Sequence, residues 1–323
     1  MNPKYIFTLV VYCLLIINQS AYAQKSLHQS ALEFFSPLPT VMPGSENDAP
    51  SQVVLGKKLF FETALSINNN QSCNSCHNLK GSGSGAEKIK VSIGSLGKKG
   101  TRNSPTVWNA GLQVAQFWDG KAKTLEQQAK FPLLDPNEMA MPSEEKIIEV
   151  LENRHYLPLF KQAYPAHTKP INMQNIAYAL AAFQRTLISR DRFDDYLKGN
   201  LTAISEEEKK GLRVFIEIGC VACHNGSVIG GQLFMKMGLV NPYPNKVDLG
   251  KGGLTGNSAD NYFFKVPSLR NVLNTPPYFH DGAAVTIEQA IIDTGWHQLG
   301  INIDEKDVQA IKTFFNTLNH KKR

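Results

Sequence analysis

Two copies of the pattern Cys-x-x-Cys-His constrain this chain more than any other feature of its sequence. The first copy runs from Cys73 to His77 and the second from Cys220 to His224. In this pattern two thiols add to the two vinyl groups on one edge of a porphyrin, and the imidazole that follows binds the iron. The sequence therefore predicts a chain that folds around two covalently bound c-type haems.

A single Cys-x-x-Cys pair also fits a thioredoxin-like redox site or half of a zinc site. An even number of cysteines in an exported chain would ordinarily indicate disulfides. The chain has five cysteines, and Cys13 lies in the leader described below, so the two motifs use all of the others, namely Cys73, Cys76, Cys220 and Cys223. Two complete motifs with no cysteine left over favour haem attachment over these alternatives.

The N-terminus has the three parts of a secretory signal. Lys4 precedes an apolar run over residues 5–17, and a small-x-small triplet follows at 21–23. A signal-anchor helix is the alternative, but the run is short for a bilayer span and polar residues 18–20 close it. We expect a signal peptide over residues 1–23, export to the periplasm, and no membrane span after cleavage ahead of Gln24.

Helix start signals dominate the remainder of the chain, and strand-like alternation is sparse. Capping boxes are present at Thr124, Ser205 and Thr286, and Asp304 is placed to cap a last helix. An amphipathic pattern predicts a further helix over residues 174–190. We therefore expect a mainly α protein with long loops wrapped around its cofactors.

The length of the chain and the positions of the two motifs indicate two haem domains. The 323 residues, 42% of them hydrophobic, are enough for two modest cores. The boundary is placed near residue 190, which gives an N-terminal haem domain over 24–190 and a C-terminal one over 191–323. Both are expected to be cytochrome c-like, with the haems near their interface and the last helix able to pack back on the first domain.

Charge excludes one class of partner. Lys and Arg number 34 against 28 Asp and Glu, a net charge of +6 that is spread along the chain without a block of one sign. This distribution is typical of a mildly basic surface and not of a nucleic-acid footprint. We expect no nucleic-acid partner, and a small acidic protein is compatible with the charge.

Beyond the haem motifs, short motifs follow one another in a specific order over nearly all of the mature chain. They read GTRNSPTVWN at 100–109, QFWDG at 116–120, LEQQA at 125–129, NEM at 137–139, GG at 230–231, FKVPSLRN at 264–271, PYFHDG at 277–282 and WHQLG at 296–300. In this arrangement the chain resembles the bacterial di-haem cytochrome c peroxidase family, which includes the MauG-type enzymes.

The resemblance implies a division of labour between the haems. His77 would be the proximal ligand of the haem at which peroxide reacts, and His224 that of the haem that receives electrons. Glu138 and Gln128 would lie on the distal side of the first haem, and Trp118 between the two. Without the resemblance, Glu138 would be interpreted as an exposed loop carboxylate and Trp118 as a core aromatic residue.

The same resemblance places a calcium ion at the domain interface, because Asn103, Thr275 and Pro277 match the positions that hold it. Two arginines have a role that the sequence leaves open. Arg102 and Arg270 could bind haem propionates through their guanidinium groups or form structural ion pairs.

Two positions depart from the family pattern. Many members have a histidine where this chain has Ser95, and a serine hydroxyl is a poor ligand for haem iron, so the first haem is expected to have an open distal position in the resting ferric state. The peroxidases usually have a methionine where this chain has Thr294. His297, Met235, Met237 or a water remain as candidates for the sixth ligand of the second haem.

The resemblance implies an oxidoreductase, a cytochrome c peroxidase that reduces hydrogen peroxide to water with electrons from a small cytochrome c or cupredoxin. It also implies a homodimer. A MauG-like oxidase that modifies residues of a partner protein is the alternative, and a plain di-haem electron-transfer cytochrome is a third hypothesis. Glu138, Gln128 and Trp118 argue against the third, because an electron carrier needs no distal acid or base.

Overall fold

Helices are the main regular elements of the computed structural model, which describes residues 27–80 and 83–320; the predicted signal peptide over 1–23 lies outside the described residues. The α-helices are α1 (27–34), α2 (Pro50–Phe60), α3 (Cys73–Cys76), α4 (Leu125–Leu134), α5 (Glu144–Asn153), α6 (Leu157–Ala163), α7 (Met173–Arg185), α8 (Arg192–Leu197), α9 (Glu206–Glu217), α10 (Lys251–Thr255), α11 (Ile287–Thr294) and α12 (Glu305–Phe315). The prediction of a mainly helical fold is confirmed.

Shorter elements connect these helices. Single 3₁₀ turns occupy Ser45–Asn47, Thr63–Leu65, Ala110–Leu112, Cys220–Ala222, Ser258–Asp260, Val272–Asn274 and Asn316–Leu318, and a π-helical turn, Gly295–Leu299, extends α11. Strands β1 (Phe234–Lys236) and β2 (Phe263–Lys265) form an antiparallel pair in which Phe234 lies opposite Lys265 and Lys236 opposite Phe263. None of the helices in the described part of the chain is long and apolar enough to cross a membrane.

Three of the predicted helix starts are confirmed by their capping hydrogen bonds. The side chains of Thr124, Ser205 and Thr286 accept from the main-chain N–H three residues further on. Asp304 stands at the N-cap of α12, but its side chain makes no capping hydrogen bond, so that part of the prediction is wrong. Its carboxylate instead lies near the Lys306 ammonium.

The helix predicted over 174–190 is shorter than expected and ends at Arg185. The Thr186 hydroxyl donates to the Phe183 carbonyl, and beyond it the chain leaves the helix to pair with another loop. There the Ser189 N–H donates to the side chain of Asn109, whose amide donates to the Ser189 hydroxyl. These buried contacts replace the helical hydrogen bonds that the amphipathic pattern would have continued.

The described residues form two large hydrophobic cores, and the helices of both are arranged in the same way. The first is built mainly from α2 and α4 to α7, and the second from α8, α9, α11 and α12. In each core the helix before a haem motif crosses the last helix at a glycine. A Cβ on Gly56 would stand 1.7 Å from the Ala179 carbonyl oxygen in the α2–α7 pair, and one on Gly211 2.0 Å from that of Ala310 in the α9–α12 pair.

Both ends of the described chain belong to the second core. Apolar side chains of residues 27–35 pack there with α8 and α9. The last helix, α12, packs on α9 and α11, and residues 27–35 of the predicted N-terminal domain belong to the same core. The segment after α12 also contacts the first half of the chain, where the ring of His320 lies 4.5 Å from that of Trp108.

Candidate functional site

The first Cys-x-x-Cys-His motif forms a single helical turn, α3, with His77 at its C-cap. The His77 Nδ1–H donates to the Pro105 carbonyl oxygen at 3.0 Å, which leaves Nε2 with its lone pair. Burial lowers the pKa of His77, so the ring stays neutral. A neutral imidazole with a free Nε2 is the form that binds a metal.

The second motif has the same chemistry on a 3₁₀ turn, Cys220–Ala222. The His224 Nδ1–H donates to the Ile229 carbonyl oxygen at 3.3 Å, and burial lowers the pKa of this ring to about 4. All four motif cysteines are free thiols, which excludes disulfides among them. Two free thiols and one neutral imidazole at each motif are the donor set that covalent haem requires, so the residues present fit two haems.

A cavity of about 240 Å³ opens beside the second motif and extends toward the first half of the chain. Cys220, Cys223 and His224 line it on one side, together with apolar side chains of α9, α11 and α12. Trp118 lines it on the side of the first half. A largely apolar slot that opens onto the attachment cysteines suits the flat ring of a porphyrin.

Trp118 is held in the wall of this cavity by two hydrogen bonds. Its indole Nε1–H donates to the Asn103 carbonyl oxygen at 2.9 Å, and its own carbonyl accepts from the Lys265 N–H at 2.7 Å. Pro105 lines the same cavity and supplies the carbonyl that accepts from His77. The wall of this cavity therefore includes the second haem motif, Trp118 and the proline whose carbonyl accepts from His77.

Glu138 lies on a loop that folds back on the end of α4. The N–H groups of Met139 and Met141 donate to carbonyls in the last turn of that helix, and Gln128 lies one turn earlier on it. Burial raises the pKa of both Cys73 and Cys76, and the negative charge of Glu138 adds to the shift, which places its carboxylate within electrostatic range of the first haem motif. The structure therefore brings Gln128, Glu138 and the first motif into one region.

The carboxyl of Glu138 has a pKa close to neutral pH. Its side chain reaches solvent, yet the surrounding protein desolvates the charged form, and this effect, with the repulsion from Asp135, raises its pKa to about 7. Lys121 acts in the opposite direction. The Lys121 ammonium lies 4.0 Å from the centre of the Phe131 ring on α4, and this contact holds the cation near the loop of Glu138.

Ser95 is buried in the same region, and its hydroxyl is engaged. The hydroxyl donates to the Asn70 side-chain oxygen at 2.6 Å and accepts from the Asn68 N–H at 3.3 Å. The Ser95 carbonyl accepts from the side-chain amides of both asparagines. The side chain thus contributes to the loop structure around the first motif.

Both arginines whose role the sequence left open form ion pairs. Arg102 contacts Asp119 at 2.6 Å and Asp248 at 2.7 Å, which joins the two halves of the chain next to Trp118. Arg270 is fully buried and contacts Asp191 at 2.7 Å and Asp194 at 3.0 Å. This geometry favours the ion-pair hypothesis over propionate binding for both residues.

The candidates for the sixth ligand of the second haem occupy different places. Met235 and Met237 line the cavity, as does Thr294. His297 is not among the lining residues; its Nδ1–H donates to the Asn241 carbonyl oxygen at 2.9 Å, and its ring packs edge-on against Tyr243. The thioethers of Met235 and Met237 are therefore better placed than His297 to bind the iron of the second haem.

The three residues expected to hold calcium belong to the wall of the same cavity. Asn103, Thr275 and Pro277 all line it. The Asn103 side-chain amide donates to the Ile89 carbonyl, and the Thr275 hydroxyl donates to that of Val272. Within residues 27–80 and 83–320 there is no cluster of three or more His, Cys, Asp or Glu side chains suited to a metal ion. A cation here would rest on amide and carbonyl oxygens, ligands that calcium accepts.

Two cavity residues were not assigned a role from the sequence, although both lie in motifs quoted above. The His280 ring stacks on Phe264 with centroids 4.0 Å apart and lies 6.4 Å, edge to face, from that of Trp118. Lys265 is buried despite its charge. Their membership of the motifs at 264–271 and 277–282 was the one feature of the sequence that singled them out. Neither hydropathy nor spacing indicates that a lysine or a histidine is buried.

Comparison with known proteins is consistent with this geometry. Residues 50–202 match the family described as di-haem cytochrome c peroxidase. The chain is 40% identical to the cytochrome c551 peroxidase of Pseudomonas aeruginosa over 92% of its own length and 87% of that protein. It is also 40% identical to the cytochrome c551 peroxidase of Nitrosomonas europaea, over 90% of this chain and 85% of that one.

A solved structure is also similar to this chain over most of the length of both proteins. It is a MauG-like protein associated with microbial copper homeostasis, with a TM-score of 0.76 and 28% identity. The match covers 87% of this chain and 93% of that one. The fold around the two motifs is therefore shared with both branches that the sequence resembles.

Proposed function

The chain belongs to the di-haem cytochrome c peroxidase family, and on that premise we propose that it reduces hydrogen peroxide to water at its N-terminal haem. Electrons come from a small cytochrome c or cupredoxin and enter at the C-terminal haem. The observation that carries the proposal is the placement of Glu138, whose loop folds back on the end of α4 and whose charge acts on the cysteines of the first haem motif. An electron carrier has no use for such a group, whereas O–O bond cleavage requires one.

When bound, the two haems supply the iron that peroxide meets and the redox centres that store and pass electrons. The protein contributes the attachment thiols and the two neutral imidazoles, His77 and His224, each fixed by its Nδ1–H hydrogen bond. Fixing Nδ1 as the donor aims Nε2 at the metal and holds the ring plane.

Glu138 acts as the acid and base of the reaction. Its carboxylate accepts the proton from the peroxide oxygen that stays and returns it to the oxygen that leaves as water. A pKa near 7 suits both transfers, because neither form of the group is strongly favoured at neutral pH. Gln128, on the adjacent turn of α4, orients the peroxide by hydrogen bonding.

Trp118 passes electrons between the two haem sites. Support for this role comes from its position in the cavity wall, between His224 and the segment that holds His77. Its hydrogen bonds to main-chain groups hold the ring and its loop, and the Arg102 ion pairs lie next to it. Aromatic rings held by fixed hydrogen bonds need little reorganisation when charge passes.

The remaining assignments follow the family pattern and are part of the proposal. They are two haem c domains over 24–190 and 191–323, a signal peptide over 1–23 with a periplasmic location, a homodimer, and a calcium ion at Asn103, Thr275 and Pro277. Ser95 leaves the distal side of the first haem open in the ferric protein, because its hydroxyl is held by Asn70 and Asn68.

A MauG-like oxidase that modifies a partner protein is the second candidate function, favoured by the structural likeness to a MauG-like protein. Steady-state reduction of hydrogen peroxide by ferrocytochrome c distinguishes the two. It should be run on the diferric protein and again after mild reduction of one haem. Immediate turnover in both supports the peroxidase with an open site, whereas a spectral response to peroxide without turnover in either contradicts it and favours the second function.

A further inference from the structure

Lys265, the last residue of β2, ties down the loop that carries Trp118. Its ammonium donates to the Gln113 side-chain oxygen at 2.6 Å and to the Ala115 carbonyl oxygen at 2.8 Å. Its main-chain N–H donates to the Trp118 carbonyl oxygen at 2.7 Å. A single residue thus fixes the loop before Trp118 and at Trp118 itself.

This lysine is buried without a carboxylate partner of its own. It is only 6% exposed, and no ion pair to it is present in the described part of the chain. Asp119 is the one carboxylate whose charge acts on it, and Asp119 is already paired with Arg102. Burying an unpaired cation costs free energy, so lysines in such places are unusual.

The charged and titratable groups around Lys265 come from every element packed against it. Asp119 and Arg102 lie on the loops of the first half, Asp248 pairs with Arg102, and His280 stacks in the cavity wall. The partner strand β1 presents the uncharged Phe234 opposite Lys265. Arg102 balances one of the two aspartates, so this group of four side chains is neutral while Lys265 is protonated and carries one negative charge when Lys265 loses its proton.

Lys265 lines the same cavity as His224 and Trp118. In surroundings of low dielectric constant, a positive charge beside a redox group favours its reduced form. The same charge disfavours removal of an electron from the Trp118 indole. This ammonium therefore affects both the reduction potential of the second haem and the ease with which the Trp118 indole is oxidised.

We propose that Lys265 is a positioning residue for electron transfer between the haems, and that its buried ammonium sets the reduction potential of the C-terminal haem. The inference rests on the proposed function for the presence of that haem, but not on peroxide turnover. Burial lowers the pKa of Lys265 to about 7, so the charge is present below neutral pH and lost above it. Loss of the charge makes the C-terminal haem a stronger reductant.

The test is a spectroelectrochemical titration of the C-terminal haem in the holoprotein, without peroxide, from about pH 5 to about pH 9. In the wild type the midpoint potential should fall as the pH rises through neutrality. Lys265→Met should have a lower potential that no longer changes in this range. Lys265→Arg keeps a permanent charge, and its potential should stay at the acid-limit value.

Lys236→Gln is the control, since Lys236 is an exposed lysine on the neighbouring strand and this change removes its charge without adding a thioether beside Met235 and Met237, so the titration should stay unchanged. If Lys265→Met does not fold, Lys265→Arg still tests the inference. Its midpoint potential should stay high and should not change with pH. A wild-type pH dependence retained in Lys265→Met or in Lys265→Arg overturns the inference. A protein that shows the expected titration but does not turn over peroxide contradicts the proposed function and leaves the role of Lys265 intact.

Discussion

The main-chain N–H of Ser95 donates to the carbonyl oxygen of Glu138 at 2.7 Å. This bond holds the loop that departs from the family pattern against the loop that carries the proposed acid and base. Gly94 lets the two backbones meet, because a Cβ there would stand 2.1 Å from the Asn137 carbonyl oxygen. The loop of Ser95 and the loop of Glu138 are therefore joined through their main chains, and a substitution of the Ser95 side chain leaves this bond in place.

Replacing Glu138 with Gln should lower peroxide turnover by about 10²- to 10⁴-fold, because the amide cannot carry the proton between the two peroxide oxygens. Both haems should remain attached, as shown by the absorption spectrum and the mass of the protein. Asp135→Asn is the control, since it removes a neighbouring charge but not the proton carrier. Unchanged turnover in Glu138→Gln would remove Glu138 from the mechanism.

Turnover should depend on pH through the same carboxyl. The carboxylate is the form that accepts the first proton, so turnover should fall as the pH drops through about 7. Lys121 lowers the pKa of Glu138, and Lys121→Met should therefore move this acid limb to higher pH. The measurement is the pH profile of kcat/KM for both proteins, and an acid limb at the same pH in both would contradict the role of Lys121.

The ferric protein as isolated should contain a high-spin haem at the first site, because the Ser95 hydroxyl is held by Asn70 and Asn68. Ser95→His should introduce an imidazole that binds the iron and makes activity dependent on prior reduction. Ser95→Ala is the matched control and should remain active without reduction. Electron paramagnetic resonance of the three ferric proteins checks this, and a purely low-spin wild type contradicts the open site.

Trp118→Phe should slow re-reduction of the oxidised first haem by about tenfold or more while peroxide binding stays the same. Phenylalanine keeps the aromatic packing but loses the indole N–H bond to Asn103 and is much harder to oxidise. Stopped-flow mixing of the half-reduced protein with peroxide separates the two steps. Equal re-reduction rates in the two proteins count against an electron path through Trp118.

Calcium should stabilise the folded protein through Asn103, Thr275 and Pro277. At about 100 times its dissociation constant, a ligand that binds only the native state adds about 2.7 kcal/mol to the free energy of unfolding. Thermal unfolding with calcium and with a chelator measures the shift in Tm. Asn103→Ala should lose most of that shift, and a shift equal to that of the wild type would exclude Asn103 as a ligand.

The sequence by itself determined the parts of this protein that depend on local chemistry. The spacing of Cys73, Cys76 and His77 already specifies haem attachment, because the geometry of one porphyrin edge is fixed. Capping residues such as Thr124 and Ser205 marked helix starts, since the capping bond is made within three residues along the chain.

Only the tertiary structure decided what depends on residues far apart along the chain. It ended the helix at Arg185, because the Ser189 segment pairs with Asn109, 80 residues away. It placed α12 on α9, where Gly211 allows close contact, and it showed that Arg102 is held by two aspartates. It also buried Lys265 beside Trp118, which no local pattern signals, because burial and the shift in pKa that it causes are properties of the assembled fold.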